Sequence, residues 1–261
     1  MTADLTGRTI LLTGAAGGLG PVAAAAAVAA GAYVVLVDRS QPLVQAVAAT
    51  LPVGSVAAVR AVDLLDEAAT VAFAASLTDA SLTAATSTAA TSTDSGINVD
   101  AVWHLVGGWK GGKPVELQPL ADWELLHDLT VRTTLHVVRA FTASLAAGRA
   151  AGRPGGRLLL VSSPQATKPT SDNAAYAAAK AAAEALVLAV ADRFVGTGAT
   201  ANVVVVPAIL TPAMAAANPD KPRPGFVPAA ELAETLVYLT GSPAAARMNG
   251  QHVRLLGAEG L

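Results

Sequence analysis

The sequence predicts a doubly wound α/β fold, in which helices cover both faces of a central parallel sheet. Short runs of β-branched residues and leucine alternate along the chain with longer alanine-rich stretches of helical character. Several of the short runs are apolar at every position, as expected for parallel strands that helices bury on both faces. With 53% hydrophobic residues among 261, the chain has ample apolar surface for such a core.

The predicted elements follow one another in regular alternation. Strands are expected at Arg8–Thr13 (RTILLT), Tyr33–Val37 (YVVLV), Ser55–Val62, Val99–Leu105, Arg157–Ser162 (RLLLVS), Ala201–Val206 (ANVVVV) and Gln251–Leu255. Helices are expected near residues 18–30, 41–50, 66–77, 119–147, 174–195 and 228–240. No internal repeat or linker divides this series, so residues 1–261 are interpreted as a single domain built on about seven parallel strands.

One tract departs from the alternation. Ser76–Gly96 (SLTDASLTAATSTAATSTDSG) consists mainly of Ser, Thr and Ala, with almost no large apolar side chain. Such a composition buries little surface, so we expect an exposed, mobile loop or a frayed helical extension. A lid over a binding site is the alternative, because long structureless loops are uncommon in compact domains.

The charge and the residue types exclude several classes of function. A formal net charge of −2 without any basic block argues against a nucleic-acid partner. The absence of cysteine excludes disulfides, thiolate metal sites and a cysteine nucleophile. The 4 histidines lack metal-ligand spacing, so no metal is expected. These features are typical of a reducing compartment, and we expect a cytoplasmic location.

The uncharged segment Thr9–Val37 is long enough to span a membrane. However, it contains several glycines and a proline, most of its apolar residues are alanines, and no basic cluster precedes it. A buried strand, a glycine turn and a buried helix account for these residues better than a membrane span or a secretory signal.

A glycine-rich turn, TGAAGGLG at residues 13–20, leaves the first strand and enters the first helix. Gly14 allows a tight turn, Gly18 lets the backbone approach a diphosphate, and Gly20 allows close packing of the helix on the strand. The N–H groups at the start of the helix then point towards the phosphates. The residues expected to contact a dinucleotide on this Rossmann-like sheet are Gly14, Ala16, Gly17, Gly18, Leu19 and Gly20.

An acidic residue follows the second predicted strand. Asp38 lies 24 residues after Gly14, near the position expected for a carboxylate that binds the adenosine ribose. A carboxylate accepts hydrogen bonds from both ribose hydroxyls and repels a 2′-phosphate, which favours NAD over NADP. The guanidinium of Arg39 is suited to a phosphate and keeps NADP as the alternative. Asp63, just past the third strand, is expected near the adenine ring.

A tyrosine and a lysine lie one turn apart in an alanine-rich helix, in the segment YAAAK at 176–180. Positions i and i+4 share a helix face, so the phenol and the ammonium point the same way. A free tyrosine titrates near ~10, and the ammonium together with the positive ring of an oxidised nicotinamide is expected to favour the phenolate. Ser163, 13 residues before Tyr176, follows the fifth strand at the edge where ligands bind in such sheets.

Together these motifs resemble those of the short-chain dehydrogenase/reductase family. The resemblance covers nearly the whole chain: TGAAGGLG at 13–20, Asp38, Asp63-Leu64, Ser162-Ser163, YAAAK at 176–180 and a Pro–Thr-Pro segment at 207–212. It implies hydride transfer between a nicotinamide cofactor and a carbonyl or alcohol, on a parallel seven-stranded sheet. It further implies that Tyr176 is the general acid/base, that Lys180 holds the cofactor ribose and lowers the tyrosine pKa, and that Ser163 hydrogen-bonds the substrate oxygen.

Two segments that contact the cofactor in this family are altered here. His104-Leu105-Val106-Gly107 stands where the family usually has Asn-Asn-Ala-Gly, so contacts from Leu105, Val106 and Gly107 are expected to come from the backbone. The segment at 207–212 (PAILTP) is one residue shorter than usual before its threonine. Its residues expected to contact the cofactor are Pro207, Ile209 and Thr211, of which Thr211 is expected at the nicotinamide carboxamide.

The proton relay of the family is altered as well. Counted from Trp123, the relay asparagine aligns with Thr130, whose hydroxyl is expected to hold a water instead. Thr130 is therefore included among the candidate catalytic residues.

Loops above the strand ends are expected to line a substrate site. The candidates are Trp109, Gln165, Met214 and Phe226. Trp109, which follows two glycines, is suited to provide a flat apolar wall. Lys110 and Lys113 are either solvated or able to attract an anionic substrate.

The leading hypothesis is an NAD(H)-dependent oxidoreductase acting on a small carbonyl or secondary alcohol. The segment Val102–Pro114 (VWHLVGGWKGGKP) is also similar to a loop of quinonoid dihydropteridine reductase, a branch that keeps Tyr-x-x-x-Lys and does not need the serine. A pterin reductase and a non-catalytic cofactor-binding sensor or scaffold are the alternatives. The small residues of the 174–195 helix permit close helix–helix approach, which suits a homodimer or homotetramer.

Overall fold

The central sheet of the protein is parallel, as the sequence predicts. The computed structural model describes residues 3–78, 96–148, 152 and 155–257. Its strands are β1 (Thr9–Thr13), β2 (Tyr33–Asp38), β3 (Val56–Ala61), β4 (Ala101–His104), β5 (Arg157–Ser162), β6 (Thr200–Val205), β7 (Ala208–Leu210), β8 (Phe226–Pro228) and β9 (His252–Arg254). A 7-stranded sheet has the order β3-β2-β1-β4-β5-β6-β9, and each neighbouring pair is parallel. The predicted doubly wound fold is therefore confirmed.

The described helices occupy the segments between these strands. They are α1 (Gly20–Ala29), α2 (Gln41–Ala49), α3 (Glu67–Thr78), α4 (Leu120–Leu126), α5 (Thr133–Ala147), α6 (Ala174–Arg193), α7 (Pro212–Ala217) and α8 (Ala229–Gly241). The single helix predicted over 119–147 is instead α4 and α5 joined by a π-helical turn at His127–Arg132. A π-helical turn is rare and short, so the sequence pattern does not reveal it.

Helices bury the sheet on both faces. Leu12, Leu36 and Trp103 face a core that contains α1 and α8, whereas Leu11 and Val35 face a second core with α5 and α6. This alternation follows the two-residue period of a strand and explains why the strands are apolar throughout.

The strand order reverses between β2 and β4, the two neighbours of β1. Crevices form at the carboxyl ends of parallel strands at such a point, because the connections leave towards opposite faces. The glycine-rich turn lies at this point, since it follows β1 directly.

The small parallel pair β7 and β8 is not predicted from the sequence, because its strands of 3 residues are too short to show a period. Residues 79–95, most of the tract predicted as a loop, lie outside the described residues.

The segment Thr9–Val37 forms β1, the glycine turn, α1 and most of β2, as expected in preference to a membrane span. Within the described residues, Ser171–Arg193 is long and apolar enough to cross a membrane, but half of its most apolar stretch is buried in the fold. Such burial is typical of a helix that belongs to a core.

Candidate active site

A groove crosses the carboxyl ends of the strands where their order reverses. It has a larger part of about 670 Å³ and a smaller part of about 250 Å³. Leu105 and Gly107, just after β4, line both parts, so the two adjoin at these residues. The groove is thus elongated, as a dinucleotide requires, with its middle beside the glycine-rich turn.

The glycine-rich turn presents bare backbone to the groove. Gly14 has a φ of +72°, a conformation that glycine adopts without strain. A Cβ atom on Gly20 would lie 2.1 Å from the carbonyl oxygen of Ala15, so the first turn of α1 packs against the loop with no room for a side chain. A Cβ atom on Gly18 would lie 2.9 Å from Thr211 Cγ2, which places Thr211 opposite the turn. The turn therefore has the cradle that a diphosphate needs.

Asp38 lies between the turn and the smaller part of the groove. Its Oδ2 accepts a hydrogen bond of 3.1 Å from Ala16 N, and its Oδ1 accepts one of 3.4 Å from Ser40 N. The carboxylate thus supports the turn, and each oxygen keeps a lone pair for a ligand hydroxyl. The predicted cofactor residues that line this part are Gly14, Gly17, Asp38, Arg39, Asp63, Leu64, Leu105, Val106 and Gly107.

Ser163 and Tyr176 meet in the larger part of the groove. Ser163 directly follows β5 and is 3% exposed; its Oγ accepts a hydrogen bond of 3.3 Å from Gln165 N. Burial raises the pKa of Tyr176 above its usual value, and hydrogen bonding with the Ser163 side chain acts in the opposite direction. Desolvation is the larger of these two effects, and the lowering expected from Lys180 together with an oxidised nicotinamide stays a prediction.

Lys180 lies one turn beyond Tyr176 and is 6% exposed. Its Nζ donates a hydrogen bond of 2.9 Å to the Val161 carbonyl and lies 5.9 Å from the centre of the Tyr176 ring. Burial lowers the pKa of Lys180 to about 8, although Glu184 on the next turn acts to raise it. Glu184 is buried as well, and its Oε2 pairs with His252 Nε2 at 2.9 Å.

The comparisons with known proteins agree with this geometry. The chain matches the short chain dehydrogenase family over residues 8–222. It belongs to this family. A search of curated protein sequences found no match.

Solved structures of the same fold span almost the entire dehydrogenase. A 3-ketoacyl-(acyl-carrier-protein) reductase from Brucella melitensis, complexed with NADH, is 23% identical with a TM-score of 0.79, over 99% of this chain and 100% of that chain. A short-chain type dehydrogenase/reductase from Mycobacterium ulcerans is 24% identical with a TM-score of 0.78, over 97% and 89% of the two chains. A short chain dehydrogenase/reductase family oxidoreductase from Burkholderia thailandensis is 25% identical with a TM-score of 0.75, over 95% and 90%.

The dehydrogenase places a buried histidine at the end of β4, where the resemblance leads one to expect asparagine. His104 Nδ1 lies 2.7 Å from Thr13 Oγ1, and its Nε2 lies 3.4 Å from Thr133 Oγ1. Thr133 donates its proton to the Leu129 carbonyl, so we assign the proton of the neutral ring to Nε2, with Thr13 donating to Nδ1. The ring thus joins the strand before the glycine turn to the helix beside the groove.

His104 makes the stability of the dehydrogenase sensitive to acid. Burial, together with the charge of Lys180, lowers the pKa of His104 to about 3 from 6.5. Between pH 6.5 and 3 the imidazole binds a proton in the unfolded chain but not in the folded chain. The free energy of unfolding therefore falls by up to about 1.4 kcal/mol per pH unit as the pH drops through this range. We expect His104→Asn to remove this slope from urea unfolding measured at pH 4 to 7. The exposed His127→Asn variant is the control, and parallel curves for all three proteins would contradict the prediction.

Thr130 is not brought to the groove. Its side chain is completely buried within the π-helical turn, it lines neither part of the groove, and its Oγ1 has no hydrogen-bond partner among the described residues. The role of Thr130 in a proton relay stays a prediction.

The residues predicted at the substrate end lie together in the larger part of the groove. Among the predicted residues, its lining contains Gly18, Leu19, Leu105, Gly107, Trp109, Ser163, Gln165, Tyr176, Lys180, Pro207, Ile209, Thr211, Met214 and Phe226. Thr211 Oγ1 accepts a hydrogen bond of 3.2 Å from Met214 N and so begins α7, which leaves its own proton free to be donated.

Among the lining residues that the sequence analysis misses, Asn173 has a specific polar contact. Asn173 lines the larger part of the groove and accepts a hydrogen bond of 2.8 Å from Trp109 Nε1. An asparagine three residues before Tyr176, directly before a helix, predicts an N-cap instead. Because the Asn173 side chain makes no capping bond, only the structure shows its actual partner.

Proposed function

We propose that this dehydrogenase transfers a hydride between NAD(H) and a small carbonyl compound or secondary alcohol, with Tyr176 as general acid/base. The observation that carries the proposal is the convergence of Ser163, Tyr176 and Lys180 on one groove that also contains the glycine-rich turn. A purely structural tyrosine and lysine would have no reason to face such a groove together.

The side chains have distinct roles in this proposal. In the reductive direction Tyr176 donates its phenolic proton to the carbonyl oxygen, and in the oxidative direction it removes the alcohol proton. Ser163, which lies with Tyr176 in the larger part of the groove, orients the substrate oxygen. Lys180, anchored on the Val161 carbonyl, holds the cofactor ribose. A bound nicotinamide supplies or accepts the hydride, which completes the balance of the reaction.

The groove fits the cofactor at both of its ends. Asp38, Arg39 and Asp63 surround the smaller part, as an adenosine requires, and Thr211 and Ile209 lie in the larger part with Tyr176. The bare backbone at Gly18, facing Thr211, suits a diphosphate between them. The carboxylate of Asp38 supports NAD(H) over NADP(H), since a 2′-phosphate there would meet a like charge.

Asp38→Asn is expected to reverse part of this preference. The amide oxygen keeps the hydrogen bond from Ala16 N, so the turn is retained while the negative charge is lost. We expect the ratio of the Kd for NADPH to the Kd for NADH to fall by about tenfold or more, since 1.4 kcal/mol corresponds to a factor of ten. Calorimetric titration with both cofactors measures it. Arg39→Gln is the matched control and should weaken NADPH selectively; an unchanged ratio in Asp38→Asn would exclude the ribose role.

Two measurements test the function as a whole. First, NADH or NADPH that binds the folded protein should raise its melting temperature. Second, a panel of ketones and the corresponding secondary alcohols is followed by the absorbance of the reduced cofactor. Cofactor binding without turnover of any member would support the alternative, a cofactor-binding sensor or scaffold.

A pterin reductase is the second candidate. The observation that favours it is the placement of Trp109, from the loop similar to that of quinonoid dihydropteridine reductase, in the lining of the groove. The interaction between Ser163 and Tyr176 favours the carbonyl reaction, because that branch does not need the serine.

We also propose a homodimer or homotetramer in the cytoplasm. The helices α4 and α5 both contact α6. Exposed apolar side chains are present on α4 and α5, namely Leu120, Trp123, Leu125 and Leu135, and Ala178 and Ala182 of α6 are exposed as well. Such a face suits a symmetric contact between copies, and light scattering of the purified protein measures the mass. The absence of cysteine supports a reducing compartment.

A further inference from the structure

The loop after β4 is hydrogen-bonded to the residues that precede α6, the helix that carries Tyr176. Gly112 N donates a hydrogen bond of 2.8 Å to the Asp172 carbonyl, and Val115 N donates one of 3.2 Å to Ser171 Oγ. Gln118 Nε2 donates to the Ser171 carbonyl at 3.0 Å. Because these hydrogen bonds fix its position, the loop forms a rigid part of the groove lining.

The hydrogen bonds of Gln118 also determine the hydrogen-bond partner of Asn173. Gln118 Oε1 accepts a hydrogen bond of 3.1 Å from Ala175 N, and so takes the capping role that a residue directly before a helix normally has. Asn173 is thereby released to hold Trp109 Nε1 at 2.8 Å. Its own amide donates a hydrogen bond of 2.9 Å to Thr170 Oγ1. The indole is therefore held in place while its surface stays 62% exposed at the groove.

Apart from Lys180, the polar side chains that line the larger part of the groove are neutral. Gln165 Oε1 accepts from Thr170 N at 3.0 Å, so the orientation of its amide is defined. Among the described residues Gln165 Nε2 has no protein acceptor, which leaves an N–H donor at the groove beside Ser163. Lys110 and Lys113 do not line this space; they lie with Asp122 around a separate small cavity.

The charges of the lining side chains also indicate what kind of substrate the groove accepts. Among the residues that line the larger part, Lys180 is the one with a side chain charged at neutral pH, and the proposed function assigns it to the cofactor. Trp109, Met214 and Phe226 provide the apolar surface. Apart from Lys180, the lining offers no counter-charge to an anionic substrate.

We infer that the substrate of this dehydrogenase is a neutral compound whose reacting carbonyl or carbinol carbon is attached to, or part of, a planar ring that stacks on Trp109. The inference rests on the proposed function and names its substrate class. A flat ring can stack on the indole of Trp109, which Asn173 holds in place. Stacked aromatic pairs gain stabilisation beyond that of their buried area. The free Gln165 amide donates to an acceptor on the same ring.

A matched pair of ketones tests this inference: acetophenone, with a planar ring, and cyclohexyl methyl ketone, with a puckered ring of similar size. Their intrinsic reactivities differ, so the quantity compared is the change in the ratio of their kcat/KM values between variants. We expect Trp109→Leu to lower the acetophenone-to-cyclohexyl ratio by about 3- to 10-fold, the factor that stacking contributes. Trp109→Phe, which keeps a flat ring, should retain most of the ratio.

The positioning role of Asn173 is tested with the same pair. Asn173→Ala removes the acceptor for Trp109 Nε1 and should lower the ratio in the same direction, whereas Asn173→Asp keeps an acceptor and should restore it. Melting temperatures of all variants show whether folding is unchanged. The charged analogue 4-acetylbenzoate should react more slowly than acetophenone in the wild-type protein.

The outcomes separate the inference from the function on which it rests. Turnover of both ketones with a ratio unaffected by Trp109→Leu overturns the planar-ring inference and leaves hydride transfer intact. Preference for 4-acetylbenzoate over acetophenone overturns the neutral-substrate part. Turnover of other panel members but of neither ketone, nor of 1-phenylethanol or 1-cyclohexylethanol, overturns the inference and leaves the proposed function intact. NADH binding without turnover of any panel member overturns both.

Discussion

Tyr176→Phe is expected to lower kcat by about 10³-fold while NADH still binds with nearly unchanged Kd. The substitution removes the one phenolic oxygen at the groove and keeps the ring that lies 5.9 Å from Lys180 Nζ. General acid–base catalysis by a positioned side chain contributes about 10²- to 10⁴-fold, and burial keeps this phenol protonated and ready to donate. Steady-state rates and a cofactor titration on the same preparation measure both quantities.

Two further variants complete this experiment. Tyr238→Phe removes a phenol on the exposed side of α8 and should leave the rate unchanged. Ser163→Ala should lower the rate substantially if the substrate is a carbonyl compound or alcohol, whereas a pterin reductase would tolerate it. Full activity of Tyr176→Phe would remove Tyr176 from the reaction.

The second large effect concerns the fold itself. Gly20→Ala is expected to reduce the free energy of unfolding by about 3 kcal/mol or more, because overpacking usually costs 1–3 kcal/mol and here the new methyl meets backbone. Its Cβ would lie 2.1 Å from the Ala15 carbonyl oxygen and 2.4 Å from the Ala15 carbonyl carbon, so the turn and α1 have to separate. The same displacement should abolish NADH binding. Urea unfolding and calorimetric titration measure the two effects.

Gly108→Ala is the control for stability. Its Cβ would lie 3.4 Å from Leu129 Cδ1, an ordinary contact with a flexible side chain. Neither glycine has a positive φ, so the two substitutions differ in available space rather than in backbone strain. Equal stability of the Gly20→Ala and Gly108→Ala variants would contradict the packing argument.

The parts of the site that could be predicted from the sequence are those in which chemistry and spacing lie close together along the chain. The glycine turn, Asp38 and the Tyr176–Lys180 pair are each a local pattern, and the structure brings all of them to one groove. The alternation of strands and helices predicted the sheet for a similar reason, because parallel strands need helical connections.

Other features of the site depend on the surroundings of a residue. Burial by other elements raises the pKa of Tyr176, an effect that the position of a lysine on the same helix face does not reveal. The burial of Thr130 in the π-helical turn is likewise not visible in its distance along the sequence from Trp123.

Residue order and composition alone determined the α/β class, the family resemblance and the candidate residues for proton transfer, because these depend on side-chain type and on short periodic spacings. The tertiary structure alone decided that Gln118 caps α6 and frees Asn173 to hold Trp109. It also decided that His104 is a neutral, buried link between Thr13 and Thr133. These contacts join residues that are distant in sequence, and hydrogen-bond partners and desolvation are properties of the folded neighbourhood rather than of the chain.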